Sequence, residues 1–415
     1  MTKFIDIFRR NILDLLPLIK EGRLTENYEG YRYLPQGDKV VTLLEGYSVI
    51  IEKLIDRIYD NILQSEKNYD RNYLRKKIDD FVINLFFLKE NNKTPKIDEY
   101  FKELKKELRI IHSFFCAVFI QNLKISKEFK IGAVTFYPYS EKIYSDVFSD
   151  KGVKKPFPTK KDIKDKIRVY CFATCSVNCG TSQRAMELSE DMVETVLNVI
   201  RIFMPRGGFG IQGTLTSLEF SESSVYNLDE QVMTTSIQNK SVERYIDSTF
   251  SREEIDKNTI ILKNIDTILL KEENQRSDME NKLIQAINWY GEIIKFPHDR
   301  KINLIKSCIC FEVILIQDEK VKKHNISDRI AFLINDNKEK RIEISELINK
   351  IYNIRNRLIH DGKAKFKELD YNVFIHFLRI TIFKVAERIN KYSCSFDWKN
   401  LFDDVKFSGK PLFET

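Results

Sequence analysis

Glu343-Ile344-Ser345-Glu346-Leu347-Ile348-Asn349-Lys350-Ile351-Tyr352-Asn353-Ile354-Arg355-Asn356-Arg357-Leu358-Ile359-His360 carries its apolar residues at intervals of three and four. Ile344, Leu347, Ile348, Ile351, Ile354 and Leu358 therefore share one helical face, and that face is buried if the segment belongs to a helical bundle. Arg355, Asn356 and His360 fall at the edge of the stripe or off it. Gly362 supplies a C-terminal stop, so His360 lies in the last turn. Histidine is the side chain best suited to give and take a proton near neutral pH. Asn356 stands four residues before it on a shared face, where its amide can orient the ring.

Reading outward, the same period predicts helices from Asp278 to Lys295, Asp299 to Ile316, a short one opening at Ser327, and a long one from Asp370 to Tyr392. Residues 276–395 are thus expected to form a helical bundle domain, with 396–415 as a C-terminal tail. Before it, residues 251–275 read as a polar linker interrupted by the apolar stretch Ile260 to Leu270.

Residues 129–250 read differently. Ile131 to Pro138 and Ile167 to Ala173 are β-branched and aromatic runs of strand length. Thr181 is a suitable N-cap for a helix carrying Ala185, Leu188, Met192, Val196, Ile200 and Phe203 on one face and stopping at Pro205. Strand-like segments follow near Phe209 to Phe220 and Ser224 to Ile237, so this region is expected to be a small mixed α/β module. Residues 1–128 show helical spacing, as in Ile50, Leu54, Ile55 and Ile58, and are expected to be an all-helical N-terminal region. The expected fold is mainly α with a small α/β (α+β) module.

Composition bounds the function classes. The chain has 415 residues, 43% hydrophobic and 31% charged, with 14 Gly and 9 Pro, which favours two or three folded domains over disorder. A net charge of +7 favours approach to polyanions without identifying nucleic acid. No signal-peptide core follows Met1, and the most apolar runs, Phe114 to Ile120 and Cys308 to Ile316, are shorter than the ~20 residues a membrane helix needs. A cytoplasmic protein with no membrane partner is expected. Seven cysteines in a long chain suggest reduced thiols rather than a disulfide framework.

Other candidates carry less. Cys171, Cys175 and Cys179 are spaced by four, but no CxxC or His pair completes a metal set, so no metal or other cofactor is expected. Arg206-Gly207-Gly208-Phe209-Gly210 lacks the strand-before, helix-after context of a phosphate loop. The basic segment from Lys151 to Lys166 reads as a solvated loop that can meet RNA. His112, His298, His324 and His376 have no partner pattern. Glu312, inside an apolar run, would be costly to bury unpaired and calls for a cation. Arg355 is the candidate beside the motif and Arg329 the purely structural one.

The hexapeptide Arg355-Asn356-Arg357-Leu358-Ile359-His360 resembles the Arg, polar residue, spacer and His motif of HEPN ribonucleases. Phe311-Glu312-Val313-Ile314-Leu315, Asp328-Arg329-Ile330-Ala331-Phe332-Leu333, and Tyr352-Asn353-Ile354-Arg355 leading to Ile359-His360-Asp361-Gly362 are similar to the Apea-like branch of that superfamily. The resemblance covers about the last third of the chain. It implies a metal-independent endoribonuclease in which a 2′-hydroxyl attacks the adjacent phosphate, with Arg355, His360 and Asn356 catalytic and Glu312 and Arg357 supporting. It further implies a homodimer through the motif helix, RNA as substrate, and a toxin-like role in bacterial anti-phage defence. A phage-derived trigger would then be sensed through the first 250 or so residues. The alternative is a non-catalytic HEPN protein, acting as a dimeric interaction or nucleic-acid-binding module.

Overall fold

The computed structural model describes residues 2–22, 32–36, 39–44, 46–61, 69–90, 96–121, 123–151, 169–204, 210–211, 220–227, 232–239, 248–250, 259–297, 299–316, 324–362, 365–392, 394–408 and 412. The fold is mainly α with a small mixed α/β part, as its apolar periods imply. It divides into two compact units: Met1–Cys116 with Ser176–Leu188 and Val225–Thr234, and Ala117–Cys175 with Ser189–Ser224 and Thr235–Thr415.

In the first unit, α1 (Thr2–Leu15) precedes a three-stranded antiparallel sheet of β1 (Ile19–Gly22), β2 (Arg32–Gln36) and β3 (Lys39–Leu43), with β3 in the middle. Ile19 and Arg32 both stand opposite Leu43. Helices α2 (Tyr47–Asn61), α3 (Arg71–Glu90) and α4 (Ile97–Glu107) close a core that includes Phe8, Ile12, Leu54, Ile58, Ile78 and Phe101. Inside it the Tyr47 hydroxyl donates to Asp79 at 2.9 Å. The expected all-helical beginning is therefore corrected. Five residues of β3 are too few to display an alternation, although Val40, Val41 and Thr42 are β-branched. The run Phe114 to Ile120 lies in β4 (His112–Gln121), and every residue of it is buried. A strand buried throughout shows no alternation and reads like a helix segment.

Next come β5 (Leu123–Ile125), β6 (Phe129–Ile131), β7 (Val134–Pro138), α5 (Glu141–Ser149), β8 (Val169–Cys179) and α6 (Ser182–Phe203). Four further strands follow, β9 (Gly210–Ile211), β10 (Phe220–Asn227), β11 (Val232–Asn239) and β12 (Ser248–Phe250). The larger sheet has the order β11-β10-β4-β8-β7-β6, with β9 beside β4, and β12 runs parallel to β5. The single strand expected from Ile131 to Pro138 is a hairpin, with Phe129 opposite Phe136 and a turn at Gly132, whose φ of 58° suits glycine. Thr181 caps α6 as expected, its hydroxyl oxygen accepting from the Arg184 amide at 3.2 Å.

The second unit's main core is helical. The stretch read as a linker contains α7 (Thr259–Leu269), whose Ile265 and Ile268 are fully buried. Its Asp266 accepts from the Gly132 amide, and a Cβ at 132 would lie 2.8 Å from that of Leu269, so the hairpin turn rests on this helix. The bundle continues with α8 (Asp278–Lys295), α9 (Arg300–Leu315), α10 (His324–Ile334), α11 (Lys338–Asp361) and α12 (Glu368–Arg388). Ser277 and Glu280 form a capping box that fixes the start of α8. The tail expected over 396–415 instead contains α13 (Ser395–Ser408), with Trp398, Phe402 and Val405 in the same core. Among the described residues no helix is long and apolar enough to cross a membrane.

Within that unit, fully buried Arg201 pairs with Glu194 at 2.7 Å, and Lys295 reaches the same carboxylate oxygen at 3.0 Å. Burial pushes Glu194 up, but the two cations and their hydrogen bonds outweigh it and hold the carboxyl at about 2. Its folded value lies below the ordinary one of about 4.3, so its stabilisation is present above that pH and is lost as pH falls toward 2. Glu194→Gln removes the carboxylate charge that Arg201 and Lys295 share and should cost about 3 kcal/mol at neutral pH. Thermal unfolding from pH 7 to pH 2 checks this, and the deficit against wild type should shrink through the acid range.

Candidate active site

Asn337 opens α11, its side-chain oxygen accepting from the Lys340 amide at 3.0 Å, and Gly362 closes it with a φ of 63° while its amide donates to Leu358 O at 3.2 Å. The helix thus begins at Lys338 rather than Glu343 and ends where Gly362 was expected to stop it. Ile344, Ile348, Ile351, Ile354 and Leu358 are buried, and Leu347 packs partly buried against the same core.

Tyr352 holds α11 in rotation. Its ring is buried and its hydroxyl donates to the backbone oxygen of Cys308 on α9 at 3.2 Å. Sequence reading gave this residue no role. The available signal was a tyrosine inside an apolar stripe, since a buried phenol has to find an acceptor.

That anchor brings Arg355 to Glu312. Their side chains, 26% and 29% exposed, approach to 3.8 Å between Nη2 and Oε1. The contact is long, and burial pushes the Glu312 carboxyl up while Arg355 only opposes the rise. Arg329, the structural candidate, turns elsewhere: it donates to the backbone oxygen of Leu315 and lies 5.3 Å from the Phe402 ring centroid. Glu312 is half-buried rather than enclosed, because α9 presents it at the margin of the face covered by α11.

Asn356 does not orient His360 as expected. Its amide oxygen instead accepts from Arg355 Nη1 at 3.4 Å, because the adjacent guanidinium reaches it first. Arg355 Nε is buried and has no acceptor among the described residues. Among the described residues the guanidinium therefore has one long ion pair and one long hydrogen bond, both through its Nη groups, which keep further N–H donors for an anion. His360 is exposed in the last turn beside exposed Arg357 and Asp361.

Cys171, Cys175 and Cys179 all lie in β8, where a spacing of four residues separates neighbours by about 13 Å, too far for one ion. Burial pushes the Cys179 thiol up to about 12, and it donates to the Thr181 carbonyl at 3.3 Å. Among the described residues no group of three His, Cys, Asp or Glu side chains is placed to hold a metal. Residues 206–209 of the glycine-rich turn, residues 152–166 of the basic loop, and His298 lie outside the described residues. No protein-family model, curated protein or solved structure matches the chain.

A carboxylate whose folded value is raised makes the fold less stable once it ionises, so the contribution of Glu312 is most favourable below its ordinary range and declines as pH rises through the raised value. Glu312→Gln should therefore leave the melting temperature at pH 7 unchanged or higher, with no loss beyond about 1 kcal/mol. A clear drop in thermal stability would mean that the pair with Arg355 is a structural tie.

Proposed function

We propose that the C-terminal bundle is a metal-independent endoribonuclease of the HEPN kind. The observation that carries the reading is the pairing on one helix end of an under-satisfied guanidinium, Arg355, with a solvent-facing imidazole, His360. RNA supplies its own nucleophile. The 2′-hydroxyl loses its proton and bonds to phosphorus, the P–O5′ bond breaks, and the 5′-oxygen takes a proton, leaving a 2′,3′-cyclic phosphate. His360 moves these protons, and Arg355 binds the extra negative charge that develops on the phosphorane. Glu312 holds the guanidinium on its helix, and Asn356 steadies it from the other side. Exposed Arg357 meets the RNA backbone.

The positions five apart also support a site shared by two copies. Arg355 and His360 are separated by about 140° around the helix and about 7.5 Å along it, so one copy does not enclose a phosphate with both. Two motif helices facing each other across a two-fold axis supply the missing side. In this reading the protein acts in the cytoplasm as a homodimeric effector of anti-phage defence, with the first 250 or so residues restraining it until triggered.

Purified protein should cleave RNA in EDTA, before or after phage infection, and leave cyclic phosphate or 3′-phosphate with 5′-hydroxyl ends. His360→Ala should lower the rate by at least about a hundredfold without changing the melting temperature, since the ring is exposed. Cleavage that requires Mg²⁺ and yields 5′-phosphates would sink the reading, and RNA binding without cleavage would favour a non-catalytic binding module. For the shared site, co-expression with excess His360→Ala chain should depress wild-type activity through mixed dimers. A fully active monomer would rule that model out.

A further inference from the structure

A cavity of about 440 Å³ opens in the second unit where α8, the corner at Pro297, the first residue of α9 and α12 meet. That volume is in the range that receives small ligands. Tyr290 and Tyr371 supply aromatic surface, and Ile293, Ile294 and Ile375 supply apolar wall. Arg300, His376 and Arg379 also line it, and none of its lining residues is acidic. No residue of α11 contributes, so the site does not rest on the ribonuclease reading.

Tyr290 points to a ligand. Only 1% of the residue is exposed, yet its hydroxyl has no hydrogen-bond partner among the described residues. Buried phenol groups ordinarily find an acceptor or donor, and a molecule in the cavity would provide one. Arg379 is held rigidly beside it: Nε donates to the Ile202 carbonyl at 2.6 Å and Nη2 to that of Phe203 at 3.4 Å, capping the end of α6. Burial pushes the Tyr290 hydroxyl up, and the positive charge of Arg379 opposes this, as its proximity requires. Arg300 pairs with Glu368 at 2.8 Å, but both groups are half-exposed, and an anion can draw the guanidinium away.

We propose that this cavity binds a small organic anion whose flat unsaturated body lies against the tyrosines and isoleucines and whose charged end meets Arg300, His376 and Arg379. Two sources offer that chemistry, a nucleoside monophosphate and an aromatic carboxylate. Three groups able to carry positive charge, without a carboxylate among them, select an anion over a neutral or cationic molecule. Paired aromatic walls select a planar body over a bare phosphate.

Calorimetric titration of the full chain with adenosine 5′-monophosphate, benzoate, adenosine and inorganic phosphate tests this. At least one of the first two should bind at least about tenfold more tightly than adenosine or phosphate, the tighter of them identifying the source. Tyr290→Phe should weaken that binding about tenfold with no loss of melting temperature, because the hydroxyl has no partner among the described residues to lose. Arg300→Ala should weaken it several-fold, whereas His360→Ala should leave it intact, which separates this cavity from the proposed catalytic end of α11. The proposal is overturned if neither anion binds the folded chain at millimolar concentration, if adenosine binds as tightly, or if Tyr290→Phe and Arg300→Ala both leave binding unchanged.

Discussion

Helix α11 must bury Ile348, Ile351 and Ile354 while keeping Arg355 at the edge of the bundle, and Tyr352 sets the rotation at which both happen. A phenol at that depth needs an acceptor, and the Cys308 carbonyl has a second lone pair beyond its helical hydrogen bond. Once that bond is made, the next turn of each helix is committed. Arg355 follows Tyr352 by three residues and Glu312 follows Cys308 by four, so both advance about one turn in the same direction and meet. The ion pair beside the motif is thus a consequence of a buried hydroxyl, and the bundle carries the site's geometry into its packed interior. The C-terminal stop at Gly362 completes the arrangement by ending the helix one residue beyond Asp361, which keeps His360 in the last turn.

Two carboxylates on helices of the second unit, Glu194 and Glu312, show how differently the chain treats charge away from water. Glu194 receives both Arg201 and Lys295 at hydrogen-bonding distance and is held far below the carboxylate range. Asn198 accepts from the same arginine, and Gly291 is required there because a Cβ would lie 1.8 Å from the Asn198 side-chain oxygen. That network ties α6 to α8 inside the core of the second unit. Glu312 has a single cation at 3.8 Å and sits above its ordinary value. The fold thus compensates one carboxylate with two close cations and leaves the other with a single distant one.

Much of the bundle was legible because its signals are local. The expected helix starts at Asp278 and near Asp299 and the Gly362 terminus agree with α8, α9 and α11, and each is set by residues within a turn of the boundary, the Ser277 and Glu280 capping box, the Asp299 side chain and the glycine itself. The β-rich part was harder because burial of Phe114 to Ile120 on both faces erases the alternation that marks a strand. Helix α7 and helix α13 were missed for another reason: each is short and flanked by polar sequence, and only the core supplied by other helices reveals that Ile268 and Trp398 are interior. At the site itself, residue types and spacing were readable, whereas the partners were not. Whether Glu312 met Arg355 or Arg329, and whether Asn356 turned to His360 or to Arg355, depended on contacts made through space by residues distant in sequence or competing for one amide.

The exposed end of α11 gives the shared-site reading its physical footing. Ile359, adjacent to His360, is 47% exposed, and it follows Arg355 by four residues, so an apolar group lies on the same face as the guanidinium. RNA alone has little use for an isoleucine between its cationic contacts, since the phosphate backbone is met by charge and hydrogen bonds. In the proposed shared site a second helix of the same kind would use it: an apolar contact at the centre of an isologous interface excludes water and would bring two Arg355 and two His360 side chains around one cleft. Desolvating that cleft strengthens each guanidinium's hold on a phosphorane, because charge interactions grow as water leaves.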